Sequence, residues 1–497
     1  MKTGAWRHEG ITRKDFIRNA GTAVLGVALG LSRLARAASP ATWHPDRVIV
    51  GTGNPAIDVL AIQAAVNDPS VTRLQLVGTF DFGDGTSYPR QTVVIGRGID
   101  IRGEIASNPS GRIVSWSTEI RGGGAILPSL FGNANSGPFK VMNHGPGAGG
   151  DDTPVRFTGI SFSGWCGEAI FAEACRGLEV KACRFTSPVP TTMTVGTLSI
   201  LIVTAVWGLG PECLGDFIVE DNTGIFGDYA TWPDDEQLVA AVMANFSRIV
   251  FRDNEHAGHD DGLEIVYNGL YSADPSFRSS IALEDNKLTL VRDPNLGKNW
   301  PAGRGSLICI WCRHVDSIVV TGNEITTIGE GAAMSLTGDG CVVRNNTLVL
   351  APLDPGDPAT YPVGMILGYY GEFPGFPPPT TDLVDFNTSV VANNRLSGAA
   401  VLGVWTYDAN VFPFPPPPSP LPPNASNGNT AYGNNLDNLT AVGGATLYLT
   451  PGTYDNVFKG NWGTVIDQGQ HNLVTGYQSK TGAIGPAVSA ALRGLHL

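Results

Sequence analysis

Positive charge is scarce in this chain. Of 497 residues, 32 are Lys or Arg against 45 Asp or Glu, and charged residues of both signs make up only 15%. A protein that grips a phosphate backbone needs clustered cations, so nucleic acid is excluded as the expected partner. Long apolar runs are also lacking; none reaches the roughly 20 residues that a membrane-spanning helix requires. Cysteine is sparse and odd in number, seven in all, so at least one thiol stays outside any intramolecular pairing. Low charge alone could mean disorder, but 42% of the residues are hydrophobic, which excludes it. Glycine (63) and proline (35) are what the chain has in plenty. That composition suits many short strands joined by tight turns.

The first residues stand apart. Residues 1–37 carry a basic start, a short apolar run from about Ala20 to Leu31 and a small-residue exit at Ala35-Arg36-Ala37. This is the pattern of an export signal peptide. Thr12-Arg13-Lys14-Asp15-Phe16-Ile17 resembles the twin-arginine motif, with Lys14 where a second arginine would stand, which leaves the general secretory route open. Either route predicts a periplasmic or extracellular location for a bacterial protein. The segment holds seven basic and two acidic residues, so the remaining chain has 25 basic and 43 acidic residues, a net charge of −18.

Cys309-Ile310-Trp311-Cys312 has the spacing of a redox dithiol. Such pairs depend on a helix N-terminus to lower the thiol pKa. "SLICIWC" reads instead as a strand, on which positions i and i+3 point to opposite faces.

A short pattern organises residues 38–497 into one domain: apolar, any, apolar, two residues, Asn. It occurs as Phe217-Val219-Asn222, Ile249-Phe251-Asn254, Ile281-Leu283-Asn286, Ile318-Val320-Asn323, Cys341-Val343-Asn346 and Val391-Asn394. Weaker copies are expected at Asn435 and Asn461. Ile160 and Cys183 take the slot upstream, with Thr79 and Glu104 as possible earlier members. Spacings run from 23 to 48 residues, the shortest being what a three-strand coil needs. A constant strand with variable loops indicates a solenoid. The expected fold class is all-β, a right-handed parallel β-helix, in which an inward Asn bonds to the Asn of the next coil and to local backbone. "NPAIDVLAIQAAVNDPSVTRLQLVGTF" reads as a capping helix over about Pro55–Val66, followed by the first strand; the helix would shield the open end of the solenoid. Pro-rich stretches near 371–382 and 410–429 read as polyproline inserts.

The "AIQAAV" helix followed by "RLQLVGTF" resembles the opening of the pectate-lyase-like β-helix superfamily, and the resemblance covers about residues 50–480. It implies the fold and an exported carbohydrate-active protein. Members include polysaccharide lyases, glycoside hydrolases, epimerases, esterases and tailspikes.

Residues 317–336 form a coil without a long insert and serve as a ruler. Strand A covers about 317–321, strand B about 325–328 and strand C about 332–336, with Asn323 at the A–B turn and Gly329-Glu330-Gly331 at the B–C turn. On this ruler "GHDDG" (258–262), the insert 291–305 and the segment 227–237 all fall at B–C turns of neighbouring coils. The candidate catalytic residues are therefore Asp260, Asp261, His259, Asp235 and Glu330; candidate substrate contacts are Trp300, Lys298, Arg304 and Arg292. Coils stack at roughly 4.8 Å, so groups from neighbouring turns can come within the separation that paired glycosidase carboxylates use. His256 stands where Leu288, Ile325, Leu348 and Leu396 stand in other coils and is expected in the core.

Hydrolysis would use one carboxylic acid and one carboxylate. β-Elimination of a uronate would use Lys298, Arg304, Arg292 or His259, with Ca²⁺ held by the acidic turns as a possible cofactor. "DD" occurs without the Gly-His-Gly and Arg-Ile-Lys companions of polygalacturonases. A non-catalytic glycan-binding or surface-structural solenoid is the third reading. All three expect an oligo- or polysaccharide as partner, and a monomer.

Overall fold

The computed structural model describes residues 43–108, 113–129, 132–135, 137–144, 153–189, 191–195, 198–210, 213–225, 235–258, 262–266, 278–291, 306–311, 315–329, 331–357, 360–368, 386–406 and 426–479. Two compact units are present. The first, Met1–Pro45, includes residues 1–37, read from the sequence as an export signal; residues 1–42 lie outside the described residues. The second, Asp46–Leu497, is the parallel β-helix expected from the repeat. Parallel strands joined by crossovers take the right-handed sense.

The ruler coil is observed as Val315–Thr321, Glu324–Ile328 and Ala332–Leu336. Each strand pairs in parallel with its counterpart in the coils before and after. Three sheets result, A, B and C, whose inner faces share one core of stacked apolar side chains.

The A–B corner shows how sequence dictates the coil. The residue before each slot is left-handed: Asp221, Asp253, Asp285, Asn345 and Asn393 have φ of 54–57°, and Gly322 and Gly433 of 72° and 65°. Asp, Asn and Gly tolerate that conformation best. The slot residue then turns inward. Asn222, Asn254, Asn286, Asn323, Asn346, Asn394 and Asn434 are all buried. From Asn222 to Asn394 each Nδ2 donates to the next Oδ1 at 2.9–3.0 Å and to a backbone carbonyl of the coil before. From Asn254 to Asn434 each Oδ1 also accepts the backbone N–H of the Asn before it, and Asn222 Oδ1 accepts that of Cys183.

Two slots differ from expectation. Asn434, not Asn435, ends the stack, because Gly433 takes the left-handed turn and leaves Asn435 exposed. Glu104 is exposed as well; the hairpin Ile105–Ser107/Ile113–Trp116 is inserted at this corner, and buried Thr118 beyond it fills the slot by donating to the carbonyl of Leu76. A second stack, which the repeat did not reveal, runs through Ser389, Asn429, Asn456 and Asn472 at the C–A corner. Asn429 thus belongs to a coil rather than to the Pro-rich insert assigned to 410–429; residues 369–385 and 407–425 lie outside the described residues.

The helix is Pro55–Asn67, capped by Asn54, whose side chain accepts from the N–H of Ala56. Buried Asp58 ties it to the first coil by accepting from Thr52 and from the N–H of Asp81. Val59, Ile62, Ala65 and Val66 join the core. The edge of sheet A is occupied by a further strand, Arg47–Val50, paired with Arg73–Val77.

Candidate functional site

The outer faces of the three sheets differ in chemistry. Sheets A and B carry charge ladders between coils. Glu220 accepts from Arg252 at 2.5 Å and lies 3.3 Å from Lys181; Arg156 pairs with Glu179 at 3.1 Å, and Lys287 with Glu255 at 3.0 Å. These are solvated pairs of the ordinary surface kind.

Sheet C is different. Phe171, Trp207, Glu264, Ser335, Ile366 and Trp405 each follow a core residue (Ile170, Val206, Leu263, Met334, Met365 and Val404) along their strands. Alternation therefore turns them outward. Register places them in one column, through Phe171–Trp207–Ala241–Glu264–Cys309–Ser335–Ile366–Trp405. Yet these six side chains are at most 4% exposed. Aromatic rings, a carboxylate and a hydroxyl thus share a shielded outer face. Phe171 and Trp207 meet edge-on at 6.3 Å, and the Lys140 ammonium sits 5.2 Å from the Phe171 ring centroid while paired at 2.6 Å with Glu173.

The long connections fall at the ends of the C-strands. At the A–B corner they are mostly two residues, as in 221–222, 253–254, 285–286, 322–323 and 345–346. The segments 226–234 and 292–305 join B- to C-strands, and 267–278, 368–385 and 407–429 join C- to A-strands. Every one of these departs from or returns to an end of a C-strand.

Most of the sequence-derived site residues fall in B–C connections. His259, Asp260 and Asp261 lie outside the described residues, between the B-strand Glu255–Gly258 and the C-strand Leu263–Val266. Arg292, Lys298, Trp300 and Arg304 also lie outside them, between Lys287–Val291 and Ser306–Trp311, as does Glu330, between Glu324–Ile328 and Ala332–Leu336. Asp235 is the exception and a correction. It opens the C-strand Asp235–Ala244 instead of belonging to a turn, paired with Leu201. The preceding C-strand, Leu198–Gly210, is lengthened by its hairpin with Thr191–Val195 and offers an edge for Asp235 to join. Cys309 lies on a strand, as its sequence context implied, and Cys312 is outside the described residues. Among the described residues no group of three or more His, Cys, Asp or Glu could hold a metal ion.

His256 is in the core, as its slot required. It is 3% exposed, stacks in register with Gly224 and Leu288, and lies between Phe185 and Phe251 with centroids 6.5 and 6.3 Å away. Gly224 makes room for it; a Cβ there would lie 2.3 Å from Nδ1. Neither ring nitrogen has a hydrogen-bond partner, and burial depresses its pKa to about 3. Such a histidine is neutral and no catalyst.

Two buried polar groups went unremarked in the sequence. Glu168 opens a C-strand beside Thr204, its register partner. Burial raises the Glu168 pKa to about 8, and its Oε2 has no partner.

No protein-family profile matches the chain, and no curated protein matches it by sequence. Among solved structures it is similar to the tailspike protein of E. coli bacteriophage HK620, with a TM-score of 0.44 and 11% identity over 87% of this chain and 78% of that one. It is also similar to the catalytic domain of a GH87 alpha-1,3-glucanase in complex with nigerose, at TM-score 0.42 and 10% identity over 90% and 70% of the chains. A PL6 alginate lyase complex with trisaccharide gives 0.40 and 12% over 88% and 90%. The class the coils themselves define is that of parallel β-helix proteins.

Proposed function

We propose that the protein is an exported enzyme that binds a polysaccharide along the B–C edge of its coils and hydrolyses it with carboxylates from the B–C connections. The observation that carries this reading is the position of the connections: 226–234, 259–261, 292–305 and 330 each fall between a B-strand and the following C-strand of neighbouring coils. Asp260 and Asp261 precede Glu264 by four and three residues. One carboxyl of the set Asp235, Asp260, Asp261 and Glu330 donates a proton to the leaving oxygen, and another activates water. His259 assists, and Trp300, Lys298, Arg304 and Arg292 hold substrate.

The test is a panel of neutral and acidic glycans incubated with the protein lacking residues 1–37. New reducing ends without ultraviolet absorbance support hydrolysis. Unsaturated, absorbing ends, lost when Ca²⁺ is chelated, would replace it with β-elimination; binding without cleavage would leave a glycan-binding solenoid. Asp261→Asn is expected to lower kcat by at least about 100-fold, the scale of a lost acid–base group, with an unchanged unfolding midpoint. Full retained activity would remove Asp261 from the site.

A further inference from the structure

At the corner where sheet C begins, two polar side chains among the described residues face the same problem of burial. Glu168 is 2% exposed and Thr204 is fully buried. They are Cα partners on adjacent C-strands, and the N–H of Thr204 donates to the carbonyl of Gly167. That carbonyl also accepts from the indole of Trp165. Glu168 Oε2 and Thr204 Oγ1 are both without a hydrogen-bond partner. Such atoms are costly to bury bare, by about 1–3 kcal/mol each.

We propose that one internal water molecule bridges Glu168 Oε2 and Thr204 Oγ1 and is a fixed part of this corner. Register partners on adjacent strands stand roughly 4.8 Å apart. Two hydrogen bonds of about 2.8 Å meeting at a tetrahedral water span roughly 4.5 Å, which the coil spacing accommodates, and no direct bond joins Glu168 Oε2 to Thr204 Oγ1. A water needs two to four polar partners, and a polar site is one it enters. The carboxyl is held in its neutral form by burial, which raises its pKa. A neutral acid can donate its O–H to the water while the water donates to Thr204 Oγ1. The bridge does across this corner what the asparagine stack does across the A–B corner: it converts burial of polar atoms into a bond between coils.

The experiment is a high-resolution crystal structure of the protein and of its Thr204→Val variant, which preserves side-chain shape. The expected result is a solvent peak within about 3.2 Å of both oxygens in the parent and no such peak in Thr204→Val. A double-mutant cycle with Glu168→Gln and Thr204→Val provides a second reading, and non-additive shifts in unfolding midpoint are expected. A direct Glu168–Thr204 hydrogen bond, or a dry gap with additive effects, overturns the proposal. If Thr204→Val does not fold, Thr204→Ser is expected to keep the peak, and its loss there counts equally against the bridge.

Discussion

Acid should attack this protein through His256. Its folded pKa of about 3 lies far below the ordinary 6.5, so the unfolded chain takes up the proton first. The stability conferred by keeping the ring neutral is complete above pH 6.5 and is lost as pH falls toward 3. At 1.36 kcal/mol per pKa unit, the full loss is about 5 kcal/mol, a large part of a typical domain's net stability. Burial is the cause of the shift: among the described residues the ring lies between Phe185 and Phe251, in register with Gly224 and Leu288. His256→Leu places in this coil the residue that Leu288 and Leu348 place in theirs, and it is expected to remove this component of acid sensitivity. The assay is a set of denaturant midpoints for parent and variant between pH 7.5 and 3.5. The curves should diverge below pH 6.5, by up to about 1.4 kcal/mol per pH unit. Parallel curves, or an imidazole titrating near 6.5 by NMR in the folded protein, would refute the reasoning.

Glu168 carries the opposite sign. Its folded pKa of about 8 exceeds the ordinary 4.5, so its protonated burial is fully tolerated below pH 4.5 and grows costly as pH rises toward 8. Glu168→Gln should therefore gain about 3 kcal/mol at pH 7 and nothing at pH 4, read as a change in the slope of midpoint against pH. In the asparagine stack, Asn286→Ala removes bonds to Asn323, to the carbonyl of Phe251 and from Asn254. It leaves buried groups unpaired and should cost about 3–5 kcal/mol, measured by unfolding and by faster amide exchange in the two flanking coils.

The solenoid was legible because one corner repeats its chemistry. A left-handed residue followed by an inward Asn leaves the same two-residue signature in every coil from Asp221-Asn222 to Asn393-Asn394. The register then followed from a single insert-free coil, whose three strands agree with the observed ones to within two residues. The second stack has its own signature, as in Asp455-Asn456-Val457 and His471-Asn472-Leu473, and was missed because only its C-terminal members are asparagines. Sheet C was the least legible part. Its strands are buried on both faces, as in Ala332–Leu336 and Val363–Leu367, so polar alternation, the usual sign of which side faces out, is absent. Glu264 and Ser335 could be assigned to an outer column only once the core side of their neighbours was known.

The asparagine stack also makes the length of this molecule a quantity counted in whole turns. Every rung offers the same donor and acceptor upward and downward, so Asn323 would donate to Asn394 as readily as it donates to Asn346, 23 positions on. Excising one coil between equivalent slots would let the chain close on itself with its bonding pattern intact. Gene duplication or loss of a coil thus shifts the distal part of the outer face along the axis by one strand spacing, roughly 4.8 Å, without altering any side chain on it.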